Sequence, residues 1–155
     1  MISPELLKRY AFFAHFSEKQ LLSIAELSEE ISIRKGELLF EECQPANSLF
    51  LLLEGGIDLS YKSEEEFYPK TRKDFDVGQI NPGEVFALSS LIEPYALNAT
   101  AHASKPSKLI KIDAIVMRKL FDSDPNMGYI AMRQLTKAIM ERLADTRVQL
   151  AAACA

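Results

Sequence analysis

Tryptophan is absent, and the 155 residues hold only two histidines and two cysteines. Two thiols are too few for a four-thiolate iron–sulfur cluster. Cys43 and Cys154 also lie far apart, so both are read as free thiols of a reducing compartment. His15 and His102 form no His-x-His pair, and the cluster of His and Glu ligands that a cupin-type metalloenzyme needs is missing. Each histidine is expected to be satisfied or solvent-facing, with His102 on the strand face opposite Leu97, Ala99 and Ala101. Neither a Gly-x-Ser-x-Gly elbow nor a Walker-type phosphate loop occurs. No metal, cofactor or catalytic activity is expected.

Basic charge is scarce as well. Lys and Arg number 18 against 22 Asp and Glu, a formal net charge of −4. A nucleic-acid binder should carry a basic patch, and none is seen. The run Lys70, Arg72 and Lys73 follows Glu64, Glu65 and Glu66, so its local charge cancels and it reads as a solvated loop. No apolar run approaches the ~20 residues that span a bilayer. Met1 to Glu5 have no basic segment leading into an apolar one. The expectation is a cytoplasmic protein with no membrane partner, in which the glycosylation tripeptide Asn98-Ala99-Thr100 has no secretory context.

What is present is an ordinary soluble composition, 48% hydrophobic and 26% charged. It suffices for one domain, residues 1–155, with a sizeable core. Residues 1–27 read as N-terminal helices. Leu6, Leu7 and Tyr10 recur at helical spacing, and Ser17-Glu18-Lys19-Gln20 has the form of a capping box. Phe12, Phe13 and Phe16 are assigned to packing. Over residues 28–113 the period falls to two. Ile31–Ile33, Leu38–Phe40, Ser48–Leu53, Ile57–Tyr61, Phe75–Ile80, Ala96–Ala103 and Lys108–Ile112 alternate as strands, with Glu54-Gly55-Gly56 as a hairpin signal. Residues 114–155 return to helix, and Ser123-Asp124-Pro125 opens a long final one reaching about Ala153. Met132, Leu135, Ile139, Leu143, Thr146 and Leu150 lie on one stripe of it, a candidate homodimer surface.

Helices, a strand-rich body, a short helix and a long helix follow the order of the cyclic-nucleotide-binding domain family. Lys35-Gly36-Glu37-Leu38-Leu39-Phe40 and Ser48 to Gly55 resemble the opening of that family's roll. Pro82-Gly83-Glu84-Val85-Phe86-Ala87-Leu88-Ser89-Ser90-Leu91-Ile92 resembles its phosphate-binding cassette, and Leu97-Asn98-Ala99-Thr100-Ala101 the strand that closes it. The resemblance implies an α+β, mainly β, fold: an eight-stranded antiparallel, jelly-roll-like β-roll flanked by N-terminal helices and a long C-terminal helix.

It also implies a site, and there the sequence departs from the pattern. The family's cassette reads roughly F-G-E-x-A-L, then R-x-A-T. Its glycine admits close backbone approach, its glutamate accepts from the ribose hydroxyl, and its arginine pairs with the phosphate. Here those positions hold Ala87, Leu88 and Leu97, while Ser90, Ala99 and Thr100 keep their small side chains. Cys43 stands where another family glycine follows the acidic residue of a turn. Losing two charge-assisted contacts of about 1.5–3 kcal/mol each costs ~10²–10⁴-fold in affinity, which turns a micromolar site millimolar. Phe86, Leu88 and Leu97 are expected to collapse into the core or to wall an apolar pocket. Ser89 and Ser90 cap the cassette helix or offer hydroxyls to a ligand.

The expected function is a non-enzymatic regulatory module, a homodimer acting through an unidentified protein partner, with a divergent pocket. A DNA reader after the long helix is not expected, because the sequence ends at Ala155. Two alternatives stay open. One is a sensor that still binds a cyclic nucleotide or an apolar effector through Gly83, Glu84, Ser89, Ser90 and Thr100. The other is a structural dimeric subunit with no ligand.

Overall fold

A computed structural model describes residues 2–62 and 74–155. The charged segment read as a solvated loop, Glu64 to Lys73, lies outside the described residues. The N-terminal helices are α1 (Pro4–Lys8), a 3-10 turn at Ala11–Phe13, and α2 (Glu18–Glu26). The capping box is complete. Gln20 N–H donates to Ser17 Oγ at 3.2 Å, and Ser17 N–H donates to Gln20 Oε1 at 2.9 Å. Phe12, Phe13 and Phe16 are buried, Phe12 edge-on to Phe13 with centroids 5.0 Å apart.

Among the described residues the body is one antiparallel sheet of six strands: β1 (Ser28–Ile33), β2 (Leu38–Phe40), β3 (Ser48–Lys62), β4 (Asp74–Ile80), β5 (Val85–Phe86) and β6 (Thr100–Asp113). The main path runs β1-β6-β3-β4, with β2 on β6 and β5 on β3. Alternation explains how β3 builds two cores at once. Leu49 and Leu51 face the helices, joining Leu7, Phe13, Ile24 and Ile112, while Phe50 and Leu52 face the roll interior, joining Ile57, Ile80, Phe86 and Leu109. Each such buried side chain contributes about 1.5–3 kcal/mol.

Six strands stand where the sequence suggested eight, and the cause is local. Glu54-Gly55-Gly56 makes no hairpin. The chain runs straight through it as a single strand of 15 residues. Pairing with β6 shifts register between Leu52 and Ile57, so bulges take up the glycines and bend the ribbon. Gly55 has φ +103, which L side chains rarely adopt. Across the bend Gly56 N–H donates to Ser107 Oγ at 3.1 Å, and the Ser107 hydroxyl in turn donates to Lys105 O at 2.7 Å. Likewise, the segments read as separate strands near residues 100 and 110 form one 14-residue strand.

Helix α3 (Ala114–Ser123) is capped by Asp113, and α4 (Pro125–Ala153) by Asp124, whose carboxylate accepts from Met127 N–H at 3.2 Å. A hydrogen bond from the Gln20 side chain, at 3.0 Å, holds the Asp124 carboxyl below its ordinary pKa and ties α2 to the start of α4. The first half of α4 packs on the core through Met127, Ala131 and Leu135, with Met132 half-buried. Beyond Ala138 the helix stands out of the core. Ile139, Leu143 and Leu150 are 47%, 49% and 63% exposed. The expected stripe is therefore split, its first two members spent on the monomer's own core. No helix among the described residues is long and apolar enough to cross a membrane.

Candidate functional site

The cassette begins at the turn Asn81–Glu84. Gly83, at φ +92, donates its N–H to Leu52 O at 2.8 Å, and Leu52 N–H donates to Glu84 O at 3.1 Å. These bonds pin the turn against β3. Strand β5 pairs with Phe50 and Leu51, and Phe86 stacks on Phe50 and tilts against Phe40, with centroids 5.4 and 6.1 Å away. Leaving β5, Ala87 takes φ +60 and ψ +46 and caps the 3-10 turn Leu88–Leu91, whose Ser90 N–H donates to Ala87 O at 3.0 Å.

The closing segment joins from the other side. Cys43 N–H donates to Leu97 O at 2.7 Å and Leu97 N–H to Gln44 O at 2.9 Å. Cys43 has φ +70. Thus both positions where the family pattern carries glycine take left-handed backbone, here occupied by Ala87 and Cys43. Each residue carries a β-carbon in a conformation that favours glycine.

A cavity of about 750 Å³ opens between these segments. Phe86, Ala87, Leu88, Ser89, Leu97 and Asn98 all line it. Leu88 and Leu97 wall the space rather than filling it. Other predicted residues lie elsewhere. Gly83 and Glu84 line a smaller neighbouring cavity of about 350 Å³. Ser90 is fully buried and Ala99 nearly so, both in packing. The Thr100 hydroxyl accepts from Glu42 N–H at 3.1 Å, so it braces the turn that follows β2. His15 and His102 are exposed, and no group of three or more His, Cys, Asp or Glu among the described residues is placed to hold a metal.

Two further cavity residues come from α4, and no part of the cassette motif signals them. Ile139 and Arg142 both reach the cavity, one helical turn apart. The guanidinium is drawn over the cassette from an element 45 residues beyond Leu97, and only the spacing of three from Ile139 signals a shared face. Arg142 Nη2 lies 4.0 Å from Glu84 Oε2, and the Arg142 side chain is 25% exposed. Burial lowers its pKa from the usual value, opposed by the carboxylates of Glu84, Asp145 and Glu141. Glu84 Oε1 is engaged separately, accepting from Asn81 N–H at 2.7 Å. The described site thus has apolar walls with one cation above them.

Comparison with known proteins agrees with this geometry. The family model for the cyclic nucleotide-binding domain matches residues 30–124. A solved structure from Geobacter metallireducens GS-15, named for cyclic-nucleotide binding, is 36% identical with a TM-score of 0.80, covering 92% of this chain and 99% of that one. A cyclic nucleotide-binding domain from Methylobacillus flagellatus KT shares the fold at 16% identity, with a TM-score of 0.76 over 96% of this chain and 80% of that one. A Rhodopseudomonas palustris protein named as a potassium channel is 20% identical over 83% of this chain, which spans only 29% of that protein. This chain belongs to the cyclic nucleotide-binding domain family.

Proposed function

We propose that this chain is a regulatory sensor module whose roll cavity takes an apolar effector in place of a cyclic nucleotide, and whose long helix reports occupancy. The family membership supports a sensor-type role. The observation that carries the finer reading is that the cavity stays open while leucines stand at the two anchor positions. A ribose hydroxyl would have to give up water against Leu88, and a cyclic phosphate against Leu97, with no partner returned by either side chain. An apolar body of suitable size loses nothing there and gains burial. Helix α4 supports the reporting role, because Ile139 and Arg142 line the cavity while Leu143, Val148 and Leu150 beyond them stay exposed.

Calorimetric titration with cyclic AMP and cyclic GMP is expected to show no binding at about 100 µM, given the anchor losses. A panel of apolar small molecules, screened by thermal shift, should contain ligands that raise Tm. At a hundred times Kd the gain is about 2.7 kcal/mol, or roughly 5–10 °C. A low-micromolar cyclic-nucleotide isotherm would sink this reading. A second reading, a structural dimeric subunit without ligand, is favoured by the exposed apolar residues Met140, Leu143, Val148 and Leu150 on α4. A panel that raises Tm nowhere would favour it.

A further inference from the structure

We infer that Arg142 pairs with an anionic end of the effector, so that the ligand class is an amphiphile with an apolar body and one carboxylate. The inference rests on the apolar-effector reading and sharpens it. Two side chains on the cavity lining carry it: Arg142 is the one cation among the described lining residues, and neither Arg142 Nη2 nor Ser89 Oγ has a hydrogen-bond partner among the described residues. Buried donors without acceptors are rare because each forfeits its bond to water. A carboxylate in the cavity would offer acceptors to both side chains once they turn toward it. Leu88 and Leu97 offer none.

Glu84 does not already play this part. At 4.0 Å its Oε2 is beyond hydrogen-bonding distance of Nη2, though close enough to attract the guanidinium. The guanidinium carries five N–H donors in a planar fork, so one edge can face Glu84 and another a ligand carboxylate. The remaining acids set a limit on the ligand's charge. Glu93 stands on the cavity rim, where it accepts from the Tyr95 hydroxyl at 3.2 Å, and Glu141 and Asp145 are exposed on α4. A single negative charge is matched by Arg142, whereas a dianion would meet uncompensated repulsion from Glu84 and Glu93.

This cation comes from α4 and not from position 97, and with Leu88 offering no acceptor to a ribose hydroxyl it recognises a charge rather than a nucleotide. A ligand held this way bridges the roll and the helix, which a cassette-borne arginine does not require.

Decanoate and 1-decanol share a body and differ in the charged end, so their affinities separate the two claims. Calorimetric titration of the unmodified protein is expected to show decanoate binding about tenfold to a hundredfold tighter than 1-decanol. Arg142→Gln should abolish that preference, read as the ratio of the two affinities in the same variant, and Arg142→Lys should keep part of it. Glu84→Gln should tighten decanoate several-fold without affecting 1-decanol, a gain that misfolding cannot produce. Retention of the full preference in Arg142→Gln, or no gain in Glu84→Gln, overturns the role of Arg142 while 1-decanol binding upholds the apolar pocket. If neither compound binds the unmodified protein, the apolar-effector reading fails and takes this inference with it.

Discussion

Ala87 holds a backbone conformation, φ +60 and ψ +46, that costs a residue with a β-carbon about 1–2 kcal/mol. Glycine would relieve that strain, offset by the freedom it regains in the unfolded chain, about 0.4–1 kcal/mol. Ala87→Gly is therefore expected to stabilise the fold by about 0.5–1 kcal/mol, a rise of roughly 1–4 °C in Tm by calorimetry. An unchanged or lower Tm would mean that the alanine side chain packs better than its backbone suggests. The position is legible in the sequence alone, because the cassette pattern marks it as a glycine site. Cys43 is legible in the same way. Arg142 is not, since nothing local to the cassette says which residue of a helix 45 positions beyond Leu97 will arrive above it.

Among the elements, those set by short-range bonds are readable from the sequence and those set by distant pairing are not. The Ser17–Gln20 box and the Asp124 cap each close within three residues, so their sequence signatures are sufficient. The passage at Glu54–Gly56 is decided by Ser107, 51 residues away from Gly56, and two glycines in a row look like a turn when that partner is unknown. The bend gives a direct check. A β-carbon built on Gly55 would fall 2.6 Å from Pro106 O and collide with Ser107 as well, besides requiring φ +103. Gly55→Ala is expected to destabilise by on the order of 2–3 kcal/mol in urea unfolding, as overpacking plus strain. By contrast Gly36→Ala meets nothing within 4 Å and bears only the strain of φ +85, so a comparable loss there would show that clash is not the cause.

At the scale of the whole molecule, the unburied half of α4 points to association. Leu143 and Leu150 are seven residues apart on one face, and both stay exposed on the monomer. We expect a dimer in solution through this face. Leu143→Glu with Leu150→Glu should give a folded monomer by light scattering, and the pair avoids Ile139, which also lines the cavity. A wild-type monomer at tens of micromolar would remove the dimer, leaving the cavity proposals untouched. The stripe itself is visible as a pattern in the sequence. Its division is not, because burial of Leu135 depends on how far the roll extends along the helix.

That division also gives α4 a mechanical character. The helix is held by the core up to Ala138, and about 15 residues then run on over roughly 22 Å at 1.5 Å per residue. That stretch rests on β4, where Arg142 and Gln149 both come up to Gly78. Ile139 and Arg142 line the cavity where the stretch begins. A tilt of about 10° at that point would carry the far end through roughly 4 Å and lift it from β4, on the lever length given by the helical rise. The displacement at the tip is then larger than any at the cavity that causes it. A second molecule gripping the tip would feel the ligand as a change of angle.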